Sequence, residues 1–326
     1  MARMNLVEAI DQALLQEMAR DPKVIVLGED VGKDGGVFRV TDGLVERCGE
    51  ERVIDTPLAE SGIVGFAIGL AIAGYRPVAE VQFAGFVYPA YDQLVSHAAR
   101  MRNRSRGRWT VPIVVRMPYG GGIRALEHHS ESTEVIFTHV PGLKVVIPSD
   151  PYDAKGLLTA AIRDPDPVIF FEPARIYRAI KMEVPKGQYV IPLGQAKVVR
   201  EGRDLTLIGW GAQLRTCREA AERLAAENRY DVEVIDVRTL SPFDHETVIA
   251  SVKKTGRAVV VHEAARFCGF GAEISAQIME RALLSLKAPV RRVAGLDVMA
   301  PLAKLEDYYQ PDVDLVVSEI IATMEF

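Results

Sequence analysis

The stretch RVIDTPLAESGIVGFAIGLAIAG, residues 52–74, contains a β–α unit that indicates the fold class of the whole chain. Within it, Val53–Asp55 predicts a short strand, which ends at Thr56–Pro57 because proline lacks the backbone N–H of a regular strand. The next segment, Ala59–Ala73, is rich in glycine and alanine and predicts a helix. A buried strand that leads directly into a helix is typical of α/β proteins.

The same alternation of buried strands and helices extends along the chain on both sides of this unit. Leu6–Arg20 has an apolar helical face, and Val24–Leu27 predicts the buried strand that follows it. The other strands predicted in the first half are Pro77–Gln82, Pro112–Met117, Lys144–Ile147 and Val168–Glu172, and the other helices are Tyr88–Met101 and Tyr152–Arg163. This pattern predicts an α/β fold with a doubly wound, mostly parallel sheet.

A chain of 326 residues has the length of two domains at roughly 150 residues each. Residues 181–192 (KMEVPKGQYVIP) have no helical period and contain two prolines, so we predict an interdomain linker there. The first domain is then 1–180. Residues 193–326 repeat the strand–helix alternation and predict a second, smaller α/β domain.

Composition excludes several classes of protein. The chain has 39 Lys and Arg against 44 Asp and Glu, and the net charge of −5 argues against nucleic-acid binding. No apolar stretch reaches the roughly 20 residues of a membrane span, and the acidic N-terminal residues predict no signal peptide. Cys48, Cys217 and Cys268 are far apart, which predicts a reduced, cytoplasmic protein without a zinc site.

Two motifs that suggest other chemistry are weak. Residues 120–125 (GGGIRA) match the dinucleotide pattern G-x-G-x-x-A, but no helical pattern begins there, so a Rossmann site is disfavoured. His128 and His129 are adjacent, and adjacent side chains do not face one ligand on a helix or strand. A metal site that combines them with His139 is therefore also disfavoured.

Chemically active side chains concentrate where predicted strands end. The segments are Gly28–Val31, Asp55–Ser61, Gln82–Pro89 and Glu127–Ser132. In a parallel sheet these ends meet at one edge, which is the usual position of a ligand crevice.

On these segments the sequence resembles the β subunit of the thiamine-diphosphate-dependent decarboxylating component of 2-oxo acid dehydrogenase complexes, and the resemblance covers essentially the whole chain. The motifs that carry it include LGEDVG at 27–32, the 52–74 stretch, RPVAEVQFAGFVYPAYDQL at 76–94, HHSES at 128–132, PGLKVVIPSDPYDAKGLL at 141–158 and VIDVRTLSPFD at 234–244. The resemblance implies a transketolase-like pyrimidine-binding domain followed by a transketolase C-terminal-like domain.

The resemblance also implies roles for individual residues. Glu60 matches the catalytic glutamate that hydrogen-bonds N1′ of the cofactor's aminopyrimidine and so promotes loss of the C2 proton of the thiazolium. His129 matches a general acid that acts during reductive acylation of the lipoyl group, although Glu131 stands where glutamine is common. The implied cofactor-binding residues are Glu29, Leu58, Glu60, Phe86 and Tyr88.

A monovalent-cation site, for an ion such as K⁺, is implied at Ile113, Ala161, Asp164 and Asp166, largely through carbonyl oxygens. From the residues alone, a simple turn of Asp and Pro residues explains this segment at least as well.

The chain lacks the G-D-G motif with which thiamine enzymes usually hold Mg²⁺ and the diphosphate. The resemblance therefore implies an α subunit that holds Mg²⁺ and shares the cofactor in an α2β2 assembly. The other implied partners are the lipoyl domain and the peripheral-subunit-binding domain of the dihydrolipoyl acyltransferase.

The substrate class predicted by this resemblance is a 2-oxo acid. HHSES and FFEPARIYRA are similar to branched-chain members, so a branched-chain 2-oxo acid is the preferred prediction. GFVYPAYDQ is similar to pyruvate members, so pyruvate is the alternative, and acetoin is a further one. Two other functions stay open at this point: a non-catalytic assembly subunit and a nicotinamide-dependent oxidoreductase.

Overall fold

The computed structural model describes residues 1–326. Its strands are β1 (Ala2–Met4), β2 (Val24–Gly28), β3 (Val53–Asp55), β4 (Arg76–Glu80), β5 (Val114–Tyr119), β6 (Lys144–Val146), β7 (Val168–Pro173), β8 (Met182–Val184), β9 (Lys197–Arg200), β10 (Leu205–Gly209), β11 (Val232–Asp236), β12 (Thr239–Ser241), β13 (Ala258–Ala265) and β14 (Arg291–Gly295). Its α-helices are α1 (Leu6–Arg20), α2 (Leu44–Cys48), α3 (Glu60–Ile72), α4 (Met101–Arg104), α5 (Glu134–Thr138), α6 (Pro151–Arg163), α7 (Gln213–Ala226), α8 (His245–Thr255), α9 (Phe270–Ala282), α10 (Glu306–Tyr309) and α11 (Val313–Met324).

Seven strands form the larger sheet in the order β12-β6-β7-β5-β4-β2-β3. All neighbouring strands in it run parallel except the edge pair of β12 and β6. Every residue of β2, β5 and β7 is buried, as expected for a parallel sheet covered on both faces. The predicted doubly wound, mostly parallel α/β fold is confirmed.

Helices cover both faces of this sheet. On one face, α1 packs against α6 and shares a core cluster with Val24 and Val26 of β2. On the other face, Ile63 and Val64 of α3 share a second cluster with Leu27 of the same strand. Consecutive residues of β2 therefore pack against the helices on opposite faces of the sheet, because side chains alternate across a strand.

The second half of the chain forms a five-stranded sheet in the order β14-β13-β10-β11-β9. Its strands are parallel except for the edge strand β9, which pairs antiparallel with β11. Helices α7 and α11 pack against each other beside this sheet, and α9 packs against α8.

Two strands connect parts of the chain that are far apart in sequence. β8 lies inside the predicted linker 181–192 and pairs antiparallel with β1, with Ala2 opposite Val184. β12 lies in the second half of the sequence but completes the edge of the larger sheet beside β6. The two halves of the chain therefore share hydrogen-bonded structure through the pairing of β12 with β6.

The prediction of one regular helix over Tyr88–Met101 was wrong. The structure has a 3-10 turn at Tyr88–Ala90, a π-helix at Gln93–Ala98 and the short α4 after it. Pro89 lies in the 3-10 turn, where its missing N–H prevents it from donating a helical hydrogen bond. The segment is helical over most of its length, but its hydrogen-bonding pattern changes from one part to the next.

No helix of the structure combines the length and apolar character needed to cross a membrane. Cys48, Cys217 and Cys268 are all free thiols.

Candidate active site

Acidic side chains meet at the carboxyl ends of neighbouring parallel strands. Gly28 of β2 lies opposite Asp55 of β3, and Glu29 follows Gly28 directly. Glu29 is only 8% exposed and Glu60 only 9%. Burial raises the pKa of Glu29 above its usual value, and the Glu60 carboxylate contributes in the same direction. The fold thus brings together two acids that are 31 residues apart in the sequence.

The position of Glu60 results from the break that precedes its helix. It is the first residue of α3, one turn before the buried Ile63. Ala59 at the N-cap provides no side-chain hydrogen bond, so the acid of the first turn carries the favourable interaction with the helix N-terminus. The carboxyl is buried and lies at the edge of the sheet where the predicted ligand would bind.

A cluster of aromatic rings surrounds the predicted catalytic histidine. The ring centroids of His129 and Phe83 are 4.4 Å apart, and those of His129 and Phe86 are 5.1 Å apart. His128 also contacts Phe86, with centroids 5.4 Å apart. Burial and the neighbouring His128 lower the pKa of His129, so the neutral imidazole is favoured. Its buried Nδ1 atom has no hydrogen-bond partner.

Tyr88 and Glu131 form a hydrogen-bonded pair beside this cluster. The Tyr88 hydroxyl donates to Oε2 of Glu131. Tyr88 therefore provides a hydrogen-bond donor for the glutamate that stands where glutamine is common. Partial burial and the Glu131 carboxylate raise the pKa of Tyr88. Leu58, the remaining predicted cofactor-binding residue, is 78% exposed on the turn that precedes α3.

Packing connects the acids to the aromatic cluster. The 3-10 turn Ala84–Phe86 packs against the 3-10 turn Glu127–His129, and α3 packs against Tyr88–Ala90 and Gln93–Ala98. Phe86 is packed on the same core cluster as Ile63. The structure therefore gathers the predicted cofactor and catalytic residues at one end of the larger sheet.

The polar and aromatic side chains of this site fit the pyrimidine half of thiamine diphosphate. Buried polar atoms without partners include Thr56 Oγ1, His129 Nδ1 and Ser132 Oγ, and they lie on the segments that carry Glu60 and His129. An unpaired polar atom is costly inside a protein unless a ligand or water satisfies it. A heteroaromatic ring with polar nitrogens would stack on Phe86 and bond to Glu60. No group of three or more His, Cys, Asp or Glu side chains is arranged to hold a metal ion.

The residues of the predicted cation site lie together near the end of α6, but their side chains are already paired. Lys144 Nζ lies 2.6 Å from Oδ2 of Asp164, and Arg102 Nε lies 2.6 Å from Oδ1 of Asp166. The Ile113 carbonyl accepts from Val168 N at 2.9 Å, and the Ala161 carbonyl accepts from Asp164 N at 3.2 Å. These ion pairs and hydrogen bonds compete with a bound cation, so this site stays a prediction.

Residues missed by the sequence interpretation also contribute. Phe83 contacts His129 more closely than Phe86 does, and its place three residues after the end of β4, in the same aromatic segment, could have indicated it. Glu263 and Glu306 reach the loop before His129 from the second half of the chain. No local pattern in the sequence indicates these two. The loop 120–125 continues into the turn at Glu127 without opening a helix, so the structure does not form a Rossmann site there.

Two family models match the chain. The transketolase pyrimidine-binding domain matches residues 2–179, and the transketolase C-terminal domain matches residues 194–316. A solved split-gene transketolase, described as an inactive β4 tetramer, covers 99% of this chain and 98% of its own, with a TM-score of 0.81 and 23% identity. A transketolase from Pichia stipitis covers all of this chain with 46% of its own length, a TM-score of 0.71 and 14% identity. These structures show the fold.

Curated relatives are similar over nearly the full length. The pyruvate dehydrogenase E1 component subunit beta of Acholeplasma laidlawii is 55% identical over 320 residues, 98% of each chain. Proteins of the same name from Staphylococcus epidermidis and Staphylococcus aureus are 51% and 50% identical over all of both chains. This chain therefore belongs to the β subunits of the thiamine-diphosphate-dependent decarboxylating component of 2-oxo acid dehydrogenase complexes.

Proposed function

We propose that this chain is the β subunit of a pyruvate dehydrogenase, active with an α subunit in an α2β2 assembly. The observation that carries the proposal is the 50–55% identity, over at least 98% of each chain, to proteins named as pyruvate dehydrogenase β subunits. The names of these relatives support the alternative predicted from the sequence, pyruvate, better than the preferred branched-chain substrate.

The cofactor proposal divides thiamine diphosphate between two chains. This chain provides the pyrimidine-binding half, whereas the α subunit would hold Mg²⁺ and the diphosphate. When bound, thiamine diphosphate provides the electron sink that makes decarboxylation of a 2-oxo acid feasible. We also propose that residues 1–180 and 193–326 are the two domains, separated by 181–192, and that a monovalent cation binds near Asp164.

Glu60 has the central role in this proposal. Its buried carboxyl would hold a proton at N1′ of the aminopyrimidine, at the edge of the sheet where Glu29 also lies. Phe86 would pack against the pyrimidine ring, and Tyr88 and Leu58 would line the entrance beside it. Glu29 would keep a second acidic group next to Glu60, so that a proton can be exchanged between them.

His129 would act at the substrate end of the same site. Burial lowers its pKa and favours the neutral ring, so His129 would first accept a proton during the reaction and then donate it as the general acid. We propose that it serves as the general acid when the acyl group is transferred to the lipoyl domain of the acyltransferase. Docking of the acyltransferase through its peripheral-subunit-binding domain would then keep the lipoyl domain near this site.

The first experiment tests Glu60. The chain is co-expressed with a candidate α subunit, and decarboxylation is followed with an artificial electron acceptor. We expect Glu60→Gln to lower kcat at least 100-fold, because the amide cannot exchange a proton with N1′. Glu46→Gln removes the same charge from the exposed surface of α2 and serves as the control. Decarboxylation by Glu60→Gln at near the wild-type rate would contradict the assignment.

The same assay tests the substrate and the partner. We expect kcat/KM to be higher for pyruvate than for 2-oxoisovalerate, 3-methyl-2-oxopentanoate or acetoin. We expect no decarboxylation by this chain alone, because it lacks the diphosphate half of the site. A preference for 2-oxoisovalerate would reject the pyruvate proposal, and activity of the isolated chain would reject the shared site.

A further variant tests His129. We expect His129→Ala to lower the rate of reductive acylation of a free lipoyl domain at least tenfold, while decarboxylation with the artificial acceptor is less affected. His139→Ala, on the neighbouring helix end, is the control. An unchanged acylation rate in His129→Ala would show that His129 is not the general acid.

A further inference from the structure

The loop that carries His129 is held by carboxylates from the second half of the chain. This loop, residues 120–133, connects β5 to α5. The N–H of Gly121 donates to Oε1 of Glu263, and the N–H of Gly122 donates to Oε1 of Glu306. The N–H of Arg124 donates to Oε2 of Glu306 at 2.9 Å. Both carboxylate oxygens of Glu306 therefore accept hydrogen bonds from the loop backbone.

Both carboxylates are buried and connected to further groups. Glu263 and Glu306 are each 4% exposed. Gln310 Nε2 donates to Oε1 of Glu263 at 2.9 Å, and Arg175 Nη1 donates to Oε1 of Gln310 at 2.9 Å. The network begins on the loop, passes through the second half of the chain and returns to Arg175 in the first half.

The glycine run 120–122 permits this close approach. Gly122 has φ of +91°, and a Cβ atom there would lie 2.6 Å from Cγ of Arg175. A Cβ atom on Gly121 would lie 2.6 Å from Oε1 of Glu306. The run that resembles a dinucleotide motif therefore provides backbone N–H groups for carboxylates of the same chain.

The position of the His129 ring depends on this loop. The N–H of Gly120 donates to the carbonyl of Glu131 at 3.0 Å, which ties the two ends of the loop together. The N–H of His129 donates to the carbonyl of Leu126 at 3.0 Å. Because Nδ1 of His129 has no partner, the ring is held by the loop backbone and by packing on Phe83, Phe86 and His128.

We infer that Glu306 is a positioning residue: through the N–H groups of Gly122 and Arg124 it holds the loop that places His129 for reaction. The functional part of this inference rests on the proposed role of His129. The hydrogen bonds of the Glu306 side chain go to the loop backbone at Gly122 and Arg124, which precede His129 in the loop. Asp307, its neighbour, pairs with the Arg124 guanidinium at 3.0 Å, but both side chains are exposed. Such an exposed pair contributes little to stability.

The experiment compares Glu306→Gln with Asp307→Asn, which remove the same charge from adjacent positions. Hydrogen–deuterium exchange is measured on the full-length chain, alone and assembled with an α subunit. We expect peptides covering 120–126 to exchange at least tenfold faster in Glu306→Gln and at the wild-type rate in Asp307→Asn. Glu306→Ala should give a larger increase, because no acceptor remains. Unchanged exchange in both Glu306 variants would overturn the inference.

The functional readout is the split between two activities of the assembled enzyme. We expect Glu306→Gln to lower acyl transfer to the lipoyl domain at least fivefold, with KM for the 2-oxo acid unchanged and artificial-acceptor turnover within about twofold. If exchange increases but acyl transfer stays normal while His129→Ala lowers it, the positioning role is rejected. If His129→Ala leaves acyl transfer unchanged, the proposed role of His129 fails, and the exchange data alone decide whether Glu306 holds the loop.

Discussion

Two buried carboxyl groups beside the histidine loop, those of Glu134 and Glu263, have pKa values raised by burial. Glu134 is the first residue of α5, and both of its carboxylate oxygens lack a hydrogen-bond partner in good geometry. Burial raises its pKa to about 7, although its own backbone and the nearby indole of Trp210 lower the value in part. Burial also raises the pKa of Glu263 to about 8, with a smaller contribution from Glu134.

These raised pKa values predict the direction in which the free energy of unfolding changes with pH. Glu134 binds its proton more tightly in the folded chain than in the unfolded chain, so unfolding becomes easier as pH rises from about 4.5 to 7. We expect Glu134→Gln to reduce the difference in unfolding free energy between pH 5 and pH 8 by about 2 kcal/mol, since one pKa unit equals about 1.4 kcal/mol. Urea unfolding at both pH values measures this difference. Glu222→Gln, on the exposed face of α7, should leave it unchanged.

At the scale of single elements, α1 shows how local sequence determines a helix boundary. Asn5 is the N-cap, and its side chain accepts from the N–H of Glu8 at 2.9 Å. The Glu8 carboxylate accepts in return from the N–H of Asn5 at 2.7 Å. This capping box satisfies two N–H groups that a helix start otherwise leaves free. The buried face of α1 then packs against α6, which ties the N-terminus to the larger sheet.

We expect Asn5→Ala to lower the free energy of unfolding by about 1 kcal/mol, because the alanine side chain cannot accept the hydrogen bond from the helix. Chemical denaturation followed by circular dichroism measures the loss. Glu8→Gln is the control, since glutamine also completes a capping box, and its effect should be under about 0.5 kcal/mol. A larger loss in Glu8→Gln than in Asn5→Ala would show that the cap is not the stabilising feature.

At the scale of the whole molecule, a buried ion pair joins the two halves of the chain. Arg238 Nη1 lies 3.2 Å from Oδ1 of Asp153 on α6, and both side chains are buried. The N–H of Arg238 also donates to Asp236, which in turn accepts from Ser149 at 2.9 Å. Burial raises the pKa of Asp236 well above its usual range, and the Asp153 charge adds to the rise. The Arg238 guanidinium therefore pairs with Asp153, while its backbone N–H satisfies an oxygen of Asp236 between the two halves.

We expect Arg238→Ala to destabilise the chain by about 3–5 kcal/mol, because it leaves buried acids without a compensating charge. Thermal and urea unfolding measure the effect, and proteolysis should cleave the connection between the halves more readily. Arg215→Ala removes an arginine from an exposed pair with Glu219 and should cost under about 1 kcal/mol. Equal effects of the two substitutions would show that the buried pair does not hold the halves together.

The sequence was sufficient for most of the framework, whereas the site residues that it indicates stay predictions. Strands β2, β3 and β5 and helices α1 and α6 follow from apolar period, caps and prolines, which act over a few residues. Glu60 and His129 were identified through the family resemblance, and their loops were expected at strand ends. The π-helix at Gln93–Ala98 could not be predicted, because its apolar spacing is close to that of an α-helix.

The sequence by itself determined the alternation of strands and helices, and hence the edge of the sheet at which Glu29, Glu60 and Phe86 meet. Only the tertiary structure decided how the histidine loop is held, since Glu263 and Glu306 are 142 and 184 residues from the glycines they bind. The same is true of β12, which joins the larger sheet from the second half of the chain. Local sequence patterns indicate which residues are buried and which begin a helix. They do not indicate which distant groups become hydrogen-bond partners, because the pairing of distant groups depends on the path of the whole chain.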